Sequence, residues 1–182
     1  MEPSPSPPLK IITEGKAKLI LSTVKTNDKG EKFESDVFYN PVQVFNRDLT
    51  LLNLKLHSME LKEKLPDFKG LTIFDALSAS GLRTIRFLKE LDDCVKKVYA
   101  NDISQTSQEL MKKNFELNAL DMSKVVATRE DANKLLLDYR EPYFKVKGQD
   151  YLRFDVIDLD PYGSCIPFID AAVQCANENS IE

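Results

Sequence analysis

The segment Asp158-Leu159-Asp160-Pro161-Tyr162-Gly163 carries the most specific chemistry in the chain. It closes an apolar run, Phe154 to Leu159, and Pro161 fixes the backbone just beyond it. The carboxylate before the proline and the aromatic after it therefore project from the end of a strand. That pair suits a planar base with an exocyclic amine: Tyr162 stacks on the ring and Asp160 engages the amine. Asp158 lies on the same strand face as Asp160, and either supports the site or satisfies a core hydrogen bond. Upstream, Asp75-Ala76-Leu77-Ser78-Ala79-Ser80-Gly81-Leu82-Arg83 places small residues between a strand and a helix N-terminus. Such a turn lets a ligand approach backbone N–H groups closely. Only Gly81 is a glycine where the dinucleotide fingerprint needs three, so a pyrophosphate fits poorly.

About 20 residues past Gly81, Asp102 ends a second strand, where a carboxylate accepts from the two ribose hydroxyls of a nucleoside cofactor. Capping of the following helix is the alternative reading of Asp102. After a third strand, Arg129-Glu130-Asp131-Ala132-Asn133 places Asp131 either beside the base of such a cofactor or at a helix cap. His57, the single histidine, sits among Leu and Lys with no nucleophile spaced to partner it, which indicates a structural or surface role. Cys165 lies two residues beyond Gly163, and nothing around it suggests an activated thiol.

The elements that position these groups alternate from Gly70 onward. Leu71 to Leu77, Val95 to Ala100, Lys124 to Thr128 and Phe154 to Leu159 read as strands. Leu82 to Leu91, Ser104 to Leu120, Ala132 to Tyr139 and Ile166 to Ala176 read as the helices between and after them. Repeated strand–helix units imply a parallel α/β sheet with helices on both faces. Four strands leave that sheet unfinished, so the expectation is a domain truncated after its fourth strand, with an open edge. Before it, Glu14-Gly15 and Asp28-Lys29-Gly30 punctuate short apolar pieces and predict small antiparallel hairpins. Asn40-Pro41 ends them, and Val42 to Leu65 predicts a long helix stopped by Pro66, with a stripe of Val44, Leu51, Leu52, Leu54 and Leu56. Residues 1–10, proline-rich, read as a disordered tail, and Glu141 to Leu152 as a surface loop.

Composition sets the outer limits. With 25 Lys+Arg against 29 Asp+Glu, the net charge of -4 disfavours a grip on a nucleic-acid backbone by this chain alone. No stretch approaches the roughly 18 apolar residues of a membrane span. Neither a signal peptide nor an arginine-rich transit segment is visible, since the first arginine is Arg47. Three cysteines without a CxxC pair argue for a reducing, intracellular setting and against a zinc site.

The series VFYNPVQVFNRDL, FDALSASGLR, YANDIS, EDAN and DVIDLDPYG resembles the tRNA (guanine-26 N2)-dimethyltransferase family, from about Ile11 to the end of the chain. The D-P-Y-G alone is shared with other amino-methylating enzymes, including adenine N6-type enzymes; N-R-D and G-L-R narrow it. The resemblance implies a Rossmann-like class I methyltransferase sheet over residues 67–182, preceded by a hairpin-and-helix region over 11–66, and S-adenosyl-L-methionine as cofactor. It implies cofactor contacts at Arg47 and Arg83, the ribose at Asp102, and the adenine side at Asp131 and Ala132; Asp75 and Gly81, in the turn, are expected to bind the cofactor as well. It implies Asp160 at the target amine, with Tyr162 as the family's aromatic. It further implies tRNA as partner, held through regions beyond these residues, and a nuclear or mitochondrial setting. A shortened chain of this kind is expected to be weakly active or inactive by itself, or to act by binding cofactor or a partner.

Overall fold

The computed structural model describes residues 11–26, 30, 32–36, 39–140 and 152–181. The expected tail over 1–10 and all but the last residue of the expected loop at 141–152 lie outside them. Two antiparallel hairpins come first: β1 (Ile11–Glu14) with β2 (Ala17–Ile20), and β3 (Ser22–Thr26) with β4 (Lys32–Asp36). Asn40 then starts a single 3-10 turn by accepting from the Val42 N–H, and α1 (Val44–Lys64) follows. The parallel sheet comprises β5 (Leu71–Asp75), β6 (Val95–Asn101), β7 (Val125–Thr128), β8 (Phe154–Asp158) and β9 (Ala176–Ile181). The intervening helices are α2 (Leu82–Glu90), α3 (Gln105–Leu117), α4 (Ala132–Tyr139) and α5 (Ile166–Cys175).

The sheet order is β7-β6-β5-β8-β9, all parallel, so the chain reverses its direction of winding between β5 and β8. Ligands bind α/β sheets of this kind in the crevice at that reversal. The expectation of a sheet ending at its fourth strand is corrected by β9, which pairs with β8 through a register shift. Its residues Asn177-Glu178-Asn179-Ser180 are polar and poor strand formers, so the ladder with β8, not local propensity, makes the strand.

Strand side chains alternate between two helical layers. Leu71, Ile73, Val98 and Val156 pack on Leu51, Leu54 and Leu61 of α1 and Phe87 of α2. Phe74, Phe154 and Ile157 pack on Leu136 of α4 and Ala171, Ala172 and Cys175 of α5. The first hairpin shares the core of the sheet: Ala17 and Leu19 lie with Ile85 of α2 and Met111 and Phe115 of α3. On α1 the expected stripe is corrected. The buried face runs Arg47, Leu51, Leu54, Ser58, Leu61 at three- and four-residue steps, while Leu52 and Leu56 are exposed. Adjacent helix positions point about 100° apart, so Leu51 and Leu52 cannot share one face. Among the described residues no helix is long and apolar enough to cross a membrane.

Candidate functional site

The C-terminal ends of β5, β6 and β8 open onto a cleft of about 650 Å³, whose wall includes Arg47, Arg83, Asp102, Asp160 and Tyr162. Its floor is the turn after β5. Ser78 donates its backbone N–H to the Asn101 carbonyl at 2.8 Å, and Ala76 donates to the Asp158 carbonyl at 3.1 Å. The turn is thereby tied to both neighbouring strands. Gly81 starts α2 at φ +78°, and a Cβ there would stand 2.6 Å from Phe115 Cε1 and 2.7 Å from Met111 Cγ. Only glycine fits both the backbone angle and the space. Asp75 is buried beneath the turn, accepting from Thr84 Oγ1 at 2.6 Å, and is not on the wall. Burial raises its carboxyl above the ordinary aspartate value, against the hydrogen bond from Thr84.

Asp102 binds the β5 turn to the start of α3. Its Oδ2 accepts the Ala79 N–H at 2.9 Å and its Oδ1 accepts the Ser104 N–H at 2.8 Å. Ser104, not Asp102, caps α3. Each carboxylate oxygen keeps a second lone pair for a ligand. The other carboxylate with a capping alternative takes that alternative: Asp131 caps α4 by accepting from the Lys134 N–H at 2.9 Å. Ala132 is buried beside Leu136. Neither Asp131 nor Ala132 is on the cleft wall.

Arg83 joins the two ends of the Asp158–Asp160 segment. Its Nε donates to Asp160 Oδ2 at 3.0 Å, and its Nη1 stands 3.3 Å from Asp158 Oδ2. Burial pushes the Asp158 carboxyl up to about 7; the charges of Asp75 and Asp160 add to this and that of Arg83 opposes it. Tyr162 is 77% exposed at the cleft mouth, and its hydroxyl is raised by partial burial and by the charges of Asp102 and Asp160. Cys165 is exposed one residue before α5. Among the described residues no cluster of His, Cys, Asp and Glu is placed to hold a metal.

Sequence reasoning did not find what holds Arg47. Its Nε and Nη2 grip Glu14 at 2.7 and 2.6 Å, and Nη2 also donates to the Asn40 carbonyl. Glu14 further accepts from Arg86 Nη1 at 2.9 Å and from the Tyr39 hydroxyl at 2.9 Å. Burial would raise the Glu14 carboxyl, but the hydrogen bonds from Arg47 and Tyr39, with the two guanidinium charges, hold it below its ordinary value. Glu14 reads in the sequence as a turn residue; its partners are 25 to 72 positions away, and no local pattern signals them. Ile103, 64% exposed beside Asp102, is a second residue that the sequence did not single out.

The sequence model for N2,N2-dimethylguanosine tRNA methyltransferases matches residues 15–181. A tRNA (guanine(26)-N(2)/guanine(27)-N(2))-dimethyltransferase of Aquifex aeolicus is 38% identical over 163 residues, 90% of this chain and 36% of that protein. A tRNA (guanine(26)-N(2))-dimethyltransferase of Mus musculus is 32% identical, over 99% of this chain and 31% of that protein. Trm1 from Pyrococcus horikoshii, solved with S-adenosyl-L-methionine, superposes with a TM-score of 0.64 at 32% identity, over 92% of this chain and 40% of that one. The chain thus spans about a third of the length of these curated relatives. With nearly all of its residues inside the match, and a Rossmann-like methyltransferase sheet carrying the cleft, the chain belongs to the N2,N2-dimethylguanosine tRNA methyltransferase family.

Proposed function

We propose that the cleft holds S-adenosyl-L-methionine and that the protein methylates the N2 amine of guanine 26 in tRNA, giving N2,N2-dimethylguanosine. The observation that carries this is the meeting of Asp102, Arg83, Asp160 and Tyr162 in one cleft at the sheet's reversal point. The cleft volume falls within the roughly 300–1,000 Å³ of small-molecule sites. The donor set fits the cofactor: the spare lone pairs of Asp102 suit ribose hydroxyls, and Arg47 and Arg83 on the wall suit a carboxylate. Asp75 and Gly81 shape the turn beneath it. The adenine end lies toward exposed Ile103 and, past β7, toward Asp131 and Ala132 at the start of α4, which stand outside the cleft wall. Bound there, the cofactor supplies an electrophilic methyl group.

The residues of this chain do the rest. The guanine amine is a weak nucleophile, because its lone pair is delocalised into the ring. Asp160 accepts a hydrogen bond from that amine and takes up its proton, directly or through water. Tyr162 stacks on the base, which has to leave its stack in the tRNA to reach the cleft. Holding amine and methyl in line supplies much of the rate. We assign the transferase sheet to residues 67–182 and the support of Arg47 to 11–66. The acidic net charge favours a tRNA grip outside this chain. Three free cysteines favour a reducing compartment, which fits the nucleus or mitochondrion.

The test is transfer of labelled methyl to tRNA transcripts with guanine or adenine at position 26, followed by nucleoside analysis. N2-methylated guanosine from the first transcript alone is expected. Equal transfer to the adenine transcript would replace this reading with an adenine N6-type activity, which D-P-Y-G by itself would also permit.

A further inference from the structure

Arg83 faces three carboxylates from three places: Asp75 at the end of β5, Asp158 at the end of β8, and Asp160 just beyond it. From α1, Thr50 Oγ1 stands 3.4 Å from its Nη1. The Arg83 side chain is only 14% exposed; its Nε donates to the more exposed carboxylate, Asp160, and its Nη1 donates to Thr50. The buried one is left short: Asp158 Oδ2 is shielded from water and accepts no hydrogen bond, although Arg83 Nη1 is 3.3 Å away. An ionised buried oxygen in that state draws in the nearest donor. On taking up the proton of the target amine, Asp160 loses the charge that holds Arg83 Nε. We propose that Asp158 is a second station for Arg83: when the target amine takes Asp160, the guanidinium turns onto Asp158 Oδ2, which makes Asp158 a positioning residue for methyl transfer. This rests on the reading of Asp160 as the carboxylate at the target amine. The arrangement keeps Arg83 paired in both states, so freeing Asp160 leaves no buried cation alone. Asp158 receives Arg83 only as a carboxylate, so the second station closes as pH falls below about 7.

The test removes the first station and watches the arginine. In the 182-residue chain labelled with nitrogen-15, hydrogen exchange of the Arg83 side chain is followed by NMR in Asp160→Ala and in the double variant Asp160→Ala, Asp158→Asn. Arg83→Lys identifies the signal. Asp160 is exposed, so the single variant retains its core, and circular dichroism checks the double variant. At pH 8 the exchange is expected to be at least tenfold slower in the single variant than in the double, and the gap to shrink at pH 6. Equal exchange in the two variants at pH 8, or a gap that ignores pH, would overturn the proposal. If the double variant is not folded, the unaltered chain replaces it as the reference at both pH values. A ratio of exchange in Asp160→Ala to exchange in the unaltered chain that is near one at pH 8 and at least ten at pH 6 supports the second station, and a ratio that does not change with pH overturns it. Where the unaltered protein transfers methyl measurably, transfer by Asp160→Ala at the same rate would instead refute the role given to Asp160, a result separate from the exchange ratio.

Discussion

Replacing Gly81 by alanine probes the cleft floor through a single methyl group. The residue stands at φ +78°, where a side chain costs about 1–2 kcal/mol. The added Cβ meets Phe115 and Met111, which are 2% and 1% exposed and have nowhere to move. Overpacking of that kind costs about 1–3 kcal/mol, giving about 2–5 kcal/mol in all. For a chain of this size each kcal/mol lowers the melting temperature by about 2–4 °C, so a fall of roughly 5–20 °C is expected in calorimetry. Gly163→Ala is the control: it also has positive φ, +111°, but nothing lies within 4 Å of its Cβ. It should melt clearly above Gly81→Ala. The same displacement would move Ala79 from Asp102 and weaken cofactor binding. If the two variants melt together, the packing argument for the turn is wrong.

Three other perturbations have definite signs. The Asp158 carboxyl holds its proton to about pH 7 when folded and to near 3.8 otherwise, so it destabilises the fold increasingly as pH rises between those values. Asp158→Asn should therefore melt above the unaltered chain at pH 8, by up to about 4 kcal/mol at ~1.4 kcal/mol per unit, with the gain vanishing near pH 4; a constant gain would contradict this. Glu14→Gln leaves Arg47 and Arg86 short of a buried counter-charge and should cost about 3 kcal/mol in denaturant unfolding, whereas a loss under 1 kcal/mol would mean that the cluster is dispensable. Asn114→Ala removes the bonds to the Ile20 N–H and the Ser80 carbonyl inside the core, and about 2–4 kcal/mol of stability should go with them in the same assay.

What the sequence made legible follows from how local each signal is. Strands β5 to β8 are apolar runs bounded by turn residues, and Asp102, Asp160 and Tyr162 sit at their ends, so strand order alone brings them to one edge. β9 has no such run: Asn177 to Ser180 become a strand only by pairing with β8. α1 is apolar on two sides, so composition could not tell the buried Leu51 and Leu54 from the exposed Leu52 and Leu56. Asp131 and Asp102 look alike in sequence, each an acid between strand and helix. The difference is that Ser104 relieves Asp102 of capping, while nothing relieves Asp131. Only family resemblance points to Arg47 in the sequence, and its clamp on Glu14 is a contact across 33 positions that appears only in three dimensions.

The proposed function turns on a cofactor cleft centred on Asp102. Calorimetric titration of S-adenosyl-L-methionine into the folded, monodisperse chain, beside Asp102→Ala, tests it most directly. Saturable binding to the unaltered chain, weakened at least tenfold or lost in Asp102→Ala, is the predicted result. Binding of equal strength by both proteins, or no heat from either while both remain folded, would contradict it.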